Sequence, residues 1–142
     1  MKRLIITHFL LLCLFLTSGC AVEMISPYDD KTVEQMERID QKIDHFYLIL
    51  QSVPEKDRSF THYSSAYLDI DVQIRSLERR QEVREKNEET LKQTRILASL
   101  WKQDMAIHKK QNSISDFMIK RRMSQYQRLM NTMIVGELAK RQ

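Results

Sequence analysis

The chain has 142 residues, 23 Lys and Arg against 19 Asp and Glu, and only two Gly, two Pro and two Cys. So few turn-forming residues exclude a fold with many tight turns and favour long helices. One glycine outside the first 19 residues excludes a Gly-rich phosphate loop, and the near-balanced charge argues against a nucleic-acid partner.

The chain opens with Met1, Lys2 and Arg3, followed by an apolar run from Leu4 to Leu16 and then Thr17, Ser18, Gly19 and Cys20. A basic start, a short apolar stretch and small residues before a cleavage point form an export signal. The run is shorter than the roughly 20 apolar residues a membrane span needs. Leu16-Thr17-Ser18-Gly19-Cys20 resembles a bacterial lipobox, although Thr17 stands where Leu is usual. The resemblance implies cleavage between Gly19 and Cys20, acylation of Cys20 as the lipid attachment, and membrane lipid as a partner. Two or more acyl chains, at about 0.8 kcal/mol per buried methylene, give stable anchoring. Ala21 after the cysteine lacks the inner-membrane retention residue, which implies an outer-membrane lipoprotein facing the periplasm. Removing Lys2 and Arg3 leaves 21 basic against 19 acidic residues. Cys13 leaves with residues 1–19 and Cys20 is acylated, so no thiol remains for a disulfide, zinc or nucleophilic catalysis.

Residues 20–31 read as a lipidated tether, with Pro27 disfavouring helix at Ser26. About ten extended residues reach at most roughly 35 Å, which keeps the domain near the membrane. The helical bundle domain then covers 32–142. Thr32 and Gln35 suggest a capping box. Met36, Ile39, Ile43, Phe46, Leu50 and Val53 recur at steps of 3 and 4, a heptad seam that Pro54 ends. A second seam is Phe60, Tyr63, Tyr67, Ile70, Ile74 and Leu77, running into the charged stretch 78–86. A break near 85–88 or one continuous exposed helix both fit that stretch. The third helix spans about 88–110, with Leu91, Thr94, Ala98, Trp101, Met105 and His108 on one face. Ser113 is the expected N-cap of a fourth helix from Ile114 to Ala139, with Ile119, Met123, Tyr126, Met130 and Met133 inward and Phe117, Leu129, Ile134 and Leu138 beside them. Four matched helices with short links predict an all-α, antiparallel up-down bundle behind an extended tether.

The acidic start of this domain and its basic end predict attraction between the first and last helices, with a basic lipid- or partner-binding surface as the alternative. No histidine stands three residues after a glutamate, so the helical di-metal pattern is missing and no metal site is expected. Haem between Met36 and His108 is conceivable, but a seam histidine is more commonly a hydrogen-bonded core residue, and no cofactor is expected. No catalytic residues are assigned: Asp69 and Asp71 are two apart and point to different sides of a helix. The many methionines suit an adaptable core or a soft partner groove.

Ile25-Ser26-Pro27-Tyr28-Asp29 with Thr32, and the ending Glu137-Leu138-Ala139-Lys140, resemble a family of small uncharacterised bacterial lipoproteins. The resemblance implies a helical, lipid-anchored protein and no particular activity. Tyr28 and Asp29 are the residues expected to dock the tether onto the bundle. The expected role is a non-enzymatic interaction or scaffold module of the cell envelope, with an envelope protein as partner. The alternative is a carrier or sensor of a small or lipidic ligand. Oligomeric state is left open.

Overall fold

A computed structural model describes residues 24–141. Its four helices are α1 (Asp30–Ser52), α2 (Phe60–Glu82), α3 (Glu88–Gln111) and α4 (Asp116–Leu138). Short 3-10 turns follow α1 and α4, at Glu55–Asp57 and Ala139–Arg141. Each α-helix has 23 or 24 residues, about 35 Å at 1.5 Å per residue. They pack antiparallel, as the seams predict. α1 lies most closely on α4 and α2 on α3, whereas the α1–α2 and α3–α4 seams are thinner. Among the described residues no helix is long and apolar enough to cross a membrane.

The core follows the heptad positions. Met36, Ile39, Ile43, Leu50, Ile74, Leu77, Leu97, Ile119 and Met130 are all buried. At mid-bundle every helix contributes an aromatic ring. Phe46 lies 4.5 Å from Tyr67 and 5.3 Å from Trp101, and Trp101 lies 5.8 Å from Tyr126. These contacts are edge-on, the arrangement the ring quadrupoles favour. Tyr47 is fully buried beside them. The narrow seam missed it because α1 packs on both α2 and α4, so its apolar face is wider than a two-helix stripe.

The helix boundaries differ from the expectations in two places, and a third, left open by the sequence, is decided. α1 begins at Asp30 and its N-cap is Asp29, whose carboxylate accepts from the Lys31 amide. Thr32 instead donates its hydroxyl to Asp29, and Gln35 accepts from Arg80. The N-cap of α4 is Ser115, accepting from the Met118 amide, while Ser113 donates to the Glu55 carbonyl. The stretch 83–87 is a break between α2 and α3, with Lys86 in the left-handed region at φ 55°, so one continuous helix is excluded. Asn112, at φ 51°, ends α3 with its amide on the His108 carbonyl, a conformation asparagine tolerates well. Phe117 and Leu138 are exposed rather than inward, at 71% and 38%. Phe117 is two residues from buried Ile119, about 200° round the helix, so both cannot face the core.

The expected attraction between α1 and α4 is not made by ion pairs. Among the described residues the pairs between helices join α1 to α2 (Lys42–Asp69), α2 to α3 (Arg95 with Glu78 and Glu82) and α3 to α4 (Arg122–Asp104), while Arg84, in the 83–87 break, pairs with Glu137 of α4. The close α1–α4 contact is chiefly apolar, with an exposed hydrogen bond from Gln127 to Asp44.

Candidate functional site

Three groups of side chains carry the polar chemistry of the bundle. The first lies where the chain enters it. The Ser26 amide donates to the Lys86 carbonyl at 2.8 Å, and the Ser26 hydroxyl donates to Asn87 Oδ1 at 2.8 Å. Lys140 Nζ lies within 2.7 to 3.1 Å of Glu137 Oε2, Ser26 Oγ, Thr90 Oγ1 and Asn87 Oδ1. Arg84 donates to Glu137 Oε1 at 2.8 Å, to Gln81 Oε1 at 3.0 Å and to the Pro27 carbonyl. The Asp29 amide completes the set by donating to Glu137 Oε1 at 3.0 Å. Gln81 reaches Thr32, and Thr32 reaches Asp29. Five segments therefore meet in one network: residues 26–29, the start of α1, the end of α2, the start of α3 and the end of α4.

The Glu137 side chain is fully buried and sits at the centre. Burial pushes its carboxyl up, but the hydrogen bonds and charges of Arg84 and Lys140 outweigh this and hold it below the usual range. Asp29 behaves alike: burial raises it, and Thr32, Arg84 and the Lys31 amide more than offset that. Both are carboxylates at neutral pH.

Tyr28 is more peripheral. Its hydroxyl accepts from Arg141 at 2.9 Å, and the Arg141 guanidinium carbon lies 4.7 Å from its ring centre. Of the residues the sequence singled out, Tyr28 and Asp29 thus lie together at this end. Gly19 and Cys20 lie outside the described residues.

The second group is inside the bundle. Asp104 Oδ2 accepts from Tyr47 at 2.8 Å and Tyr126 at 2.7 Å, and its Oδ1 pairs with Arg122 at 2.7 Å. Burial raises the Asp104 carboxyl despite these three partners. Burial likewise pushes the Tyr47, Tyr67 and Tyr126 phenols far above their ordinary values, so they remain neutral donors. Toward the far end, His108 Nε2 lies 2.8 Å from the Arg58 carbonyl and Nδ1 lies 3.2 Å from the Tyr67 hydroxyl. A carbonyl only accepts, so Nε2 carries the proton and Nδ1 accepts from Tyr67. Burial lowers the His108 value, against the Arg58 carbonyl, and keeps the ring neutral. Arg58 in turn donates to the Val53 and Ile114 carbonyls and to Asp116. Both His108 nitrogens are occupied by the protein itself. Met36 lies near the start of α1 and His108 near the end of α3, so antiparallel packing puts them at opposite ends. They cannot share a haem iron. Among the described residues no cluster of three or more His, Cys, Asp or Glu is arranged for a metal.

The third feature is a groove of about 410 Å³ in the thin α1–α2 seam. Phe46, Ile49, Tyr63, Ala66 and Ile70 form its apolar floor and walls, with Arg38, Lys42, His45 and Asp69 on the rim. Ala66 contributes a small side chain to its lining.

No family model, curated protein or solved structure matches this chain. The reading of the site therefore rests on its own chemistry.

The entry network was missed from the sequence because Gln81, Asn87 and Glu137 resemble solvated surface. A signal was present: Gln81 continues the second seam four residues after Leu77, and Glu137 continues the fourth seam four after Met133. A polar residue in register with a seam is a buried polar residue, and it needs partners.

Proposed function

We propose that the chain is a non-enzymatic lipoprotein of the cell envelope, anchored through acylated Cys20, that receives an acidic amphipathic helix of another envelope protein in its α1–α2 groove. Tyr28 and Asp29 belong to this reading as tether-docking residues. The observation that carries it is the groove, an open apolar trough in a bundle whose buried acids, histidine and arginines are engaged by their own neighbours. From Arg38 to Ile49 the groove follows three turns of α1, about 16 Å, the length over which i, i+3, i+4 and i+7 anchors of a docked helix engage. Its rim carries Arg38 and Lys42, which meet Glu34 at 3.9 Å and Asp69 respectively in exposed pairs. Such pairs are weak and exchange readily, so the carboxylates of an acidic partner can take their place. Ligand pockets normally enclose most of a small molecule. This groove is open, so the lipid-carrier alternative has less support.

The test is site-specific photocrosslinking from position 49 in intact cells, repeated with Arg38→Glu and Lys42→Glu combined. Ile49, Arg38 and Lys42 are all partly exposed, so the fold tolerates the three changes. One dominant envelope protein, crosslinked through an acidic helix and lost in the charge-reversed variant, supports the reading. Crosslinks to lipid alone, or to a partner indifferent to charge reversal, overturn it.

A further inference from the structure

Four exposed apolar side chains crowd the end at which the chain enters the bundle. Met24 is 85% exposed, Ile25 59%, Val83 82% and Leu138 38%. The Ser26 amide on the Lys86 carbonyl brings residues 24 and 25 beside the loop that contains Val83. Met24 and Ile25 line a shallow depression with Lys86, Asn87 and Lys140, and Lys140 is two residues beyond Leu138. We propose that this end of the bundle rests in the lipid surface, with Met24, Ile25, Val83 and Leu138 inserted at the headgroup level. The inference depends on the reading of Cys20 as the acylated anchor.

Chain length supports a lipid surface as the occupant. Cys20 to Met24 is four residues, at most about 14 Å when extended. Residues 26–29 add no reach, because the network around Glu137 holds them on the bundle. A tether of ten free residues would let the domain tumble well clear of the bilayer. The pinned chain instead holds its entry end no more than about 14 Å from the acylated residue, a reach comparable with a headgroup layer that is itself about 5–8 Å thick. Four apolar side chains exposed together at that place lose less by entering lipid than by facing water.

Charge does not provide the attraction. Arg84, Lys86, Lys140 and Arg141 at this end are matched by Glu82, Glu85, Glu88, Glu89 and Glu137. The contact is therefore apolar and insensitive to salt, unlike a polybasic patch on anionic lipid.

The experiment uses the full chain, expressed with its leader and reconstituted into phosphatidylcholine vesicles. Val83→Cys carries an environment-sensitive fluorophore, and Leu68→Cys, 55% exposed in the middle of α2, is the control. The wild-type chain is first treated with a maleimide. With Cys20 acylated it takes up no label and floats with the vesicles. The position-83 probe should then shift to shorter wavelength and be quenched several-fold more strongly than the position-68 probe by spin-labelled lipid, equally at low and high salt. If the chain floats but both probes report water, the lipid contact is wrong and the anchor stands. A contact that high salt abolishes overturns its apolar character. If the wild-type chain takes up maleimide and fails to float, the anchor reading falls and this inference with it.

Discussion

The two ends of the bundle solve the same problem with different consequences. Each closes over buried polar groups: Glu137, Arg84 and Lys140 where the chain enters, Arg58 and His108 at the far end. At the far end the acceptors are chiefly loop carbonyls, Val53, Arg58 and Ile114, so that network ties the helix-connecting segments to one another and to Tyr67, His108 and Asp116 of the helices. At the entry end the partners include Ser26, Pro27 and Asp29, which lie outside the helices or at the very start of α1. The same kind of chemistry therefore staples loops at one end and fixes the approach of the chain at the other.

The sharpest way to separate the two is to break each in turn. Glu137→Gln keeps the shape but leaves Arg84 and Lys140 buried without their carboxylate, and removing one partner of a buried ion pair costs about 3 kcal/mol or more. Chemical denaturation should show that loss, and amide exchange at Ser26 and Asp29 should accelerate at least as much as exchange in the core. Arg58→Met orphans two carbonyls at the far end, at about 2 kcal/mol in total. It should leave the additional protection of Ser26 and Asp29 intact. Equal loosening at both ends in both variants would mean that the bundle is one cooperative unit and the division drawn here is wrong.

Acid should open the ends in sequence. His108 is held below its ordinary 6.5, chiefly by burial. As pH falls below 6.5 the unfolded chain takes up a proton that the folded ring refuses, so stability present above that value is lost. The groups around the ring are Tyr67, Tyr63, Phe60 and Arg58, with Asp104 and Arg122 lining the same small cavity. Glu137 and Asp29 lie below their ordinary 4.5 and 3.8. Their contribution is complete above those values and drains only as pH falls through the lower folded ones. Asp104, raised by burial, acts oppositely: its ionisation costs stability above its folded value, and protonation returns some of it on acidification. Between pH 6.5 and 4.5 the His108 loss, partly offset by Asp104, should therefore fall on the far end while the Glu137 network stays intact. Amide exchange at Arg58 and Phe60, compared with Ser26 and Asp29 after correction for intrinsic rates, tests the order. Simultaneous loss at both ends would contradict it.

The seams made the four helices legible, because burial of Met36, Tyr67, Trp101 and Tyr126 follows directly from 3.6-residue periodicity. The ends were harder to read. Asp29 displaced the expected Thr32 cap because Thr32 is drawn inward by Gln81, a residue 49 positions away. Asn87 resembles solvated surface in the sequence, yet its side chain reaches Ser26 and Gln81. Local rules assign a polar residue to its neighbours in sequence, and these residues are satisfied by segments brought together only when the bundle closes. The groove was not legible: the methionines suggested a soft partner surface, but none of them lines it. Its position depends on where α1 and α2 separate, which no periodicity reveals.

The smallest effect concerns the residue that the sequence favoured for docking. Tyr28 touches the bundle through Arg141, by a hydrogen bond and a cation–ring contact. At a half-exposed site such a contact contributes about 0.5–1 kcal/mol. Tyr28→Ala should therefore raise exchange at Ser26 and Asp29 by only about two- to five-fold, the equivalent of that energy, with little change in global stability. Ser26→Ala removes a hydroxyl that both donates to Asn87 and accepts from Lys140, so it should loosen the segment more. If Tyr28→Ala proves the more damaging of the two, the chain is held by its aromatic contact at the rim. The buried network around Glu137 would then stabilise the bundle without fixing the path of the tether.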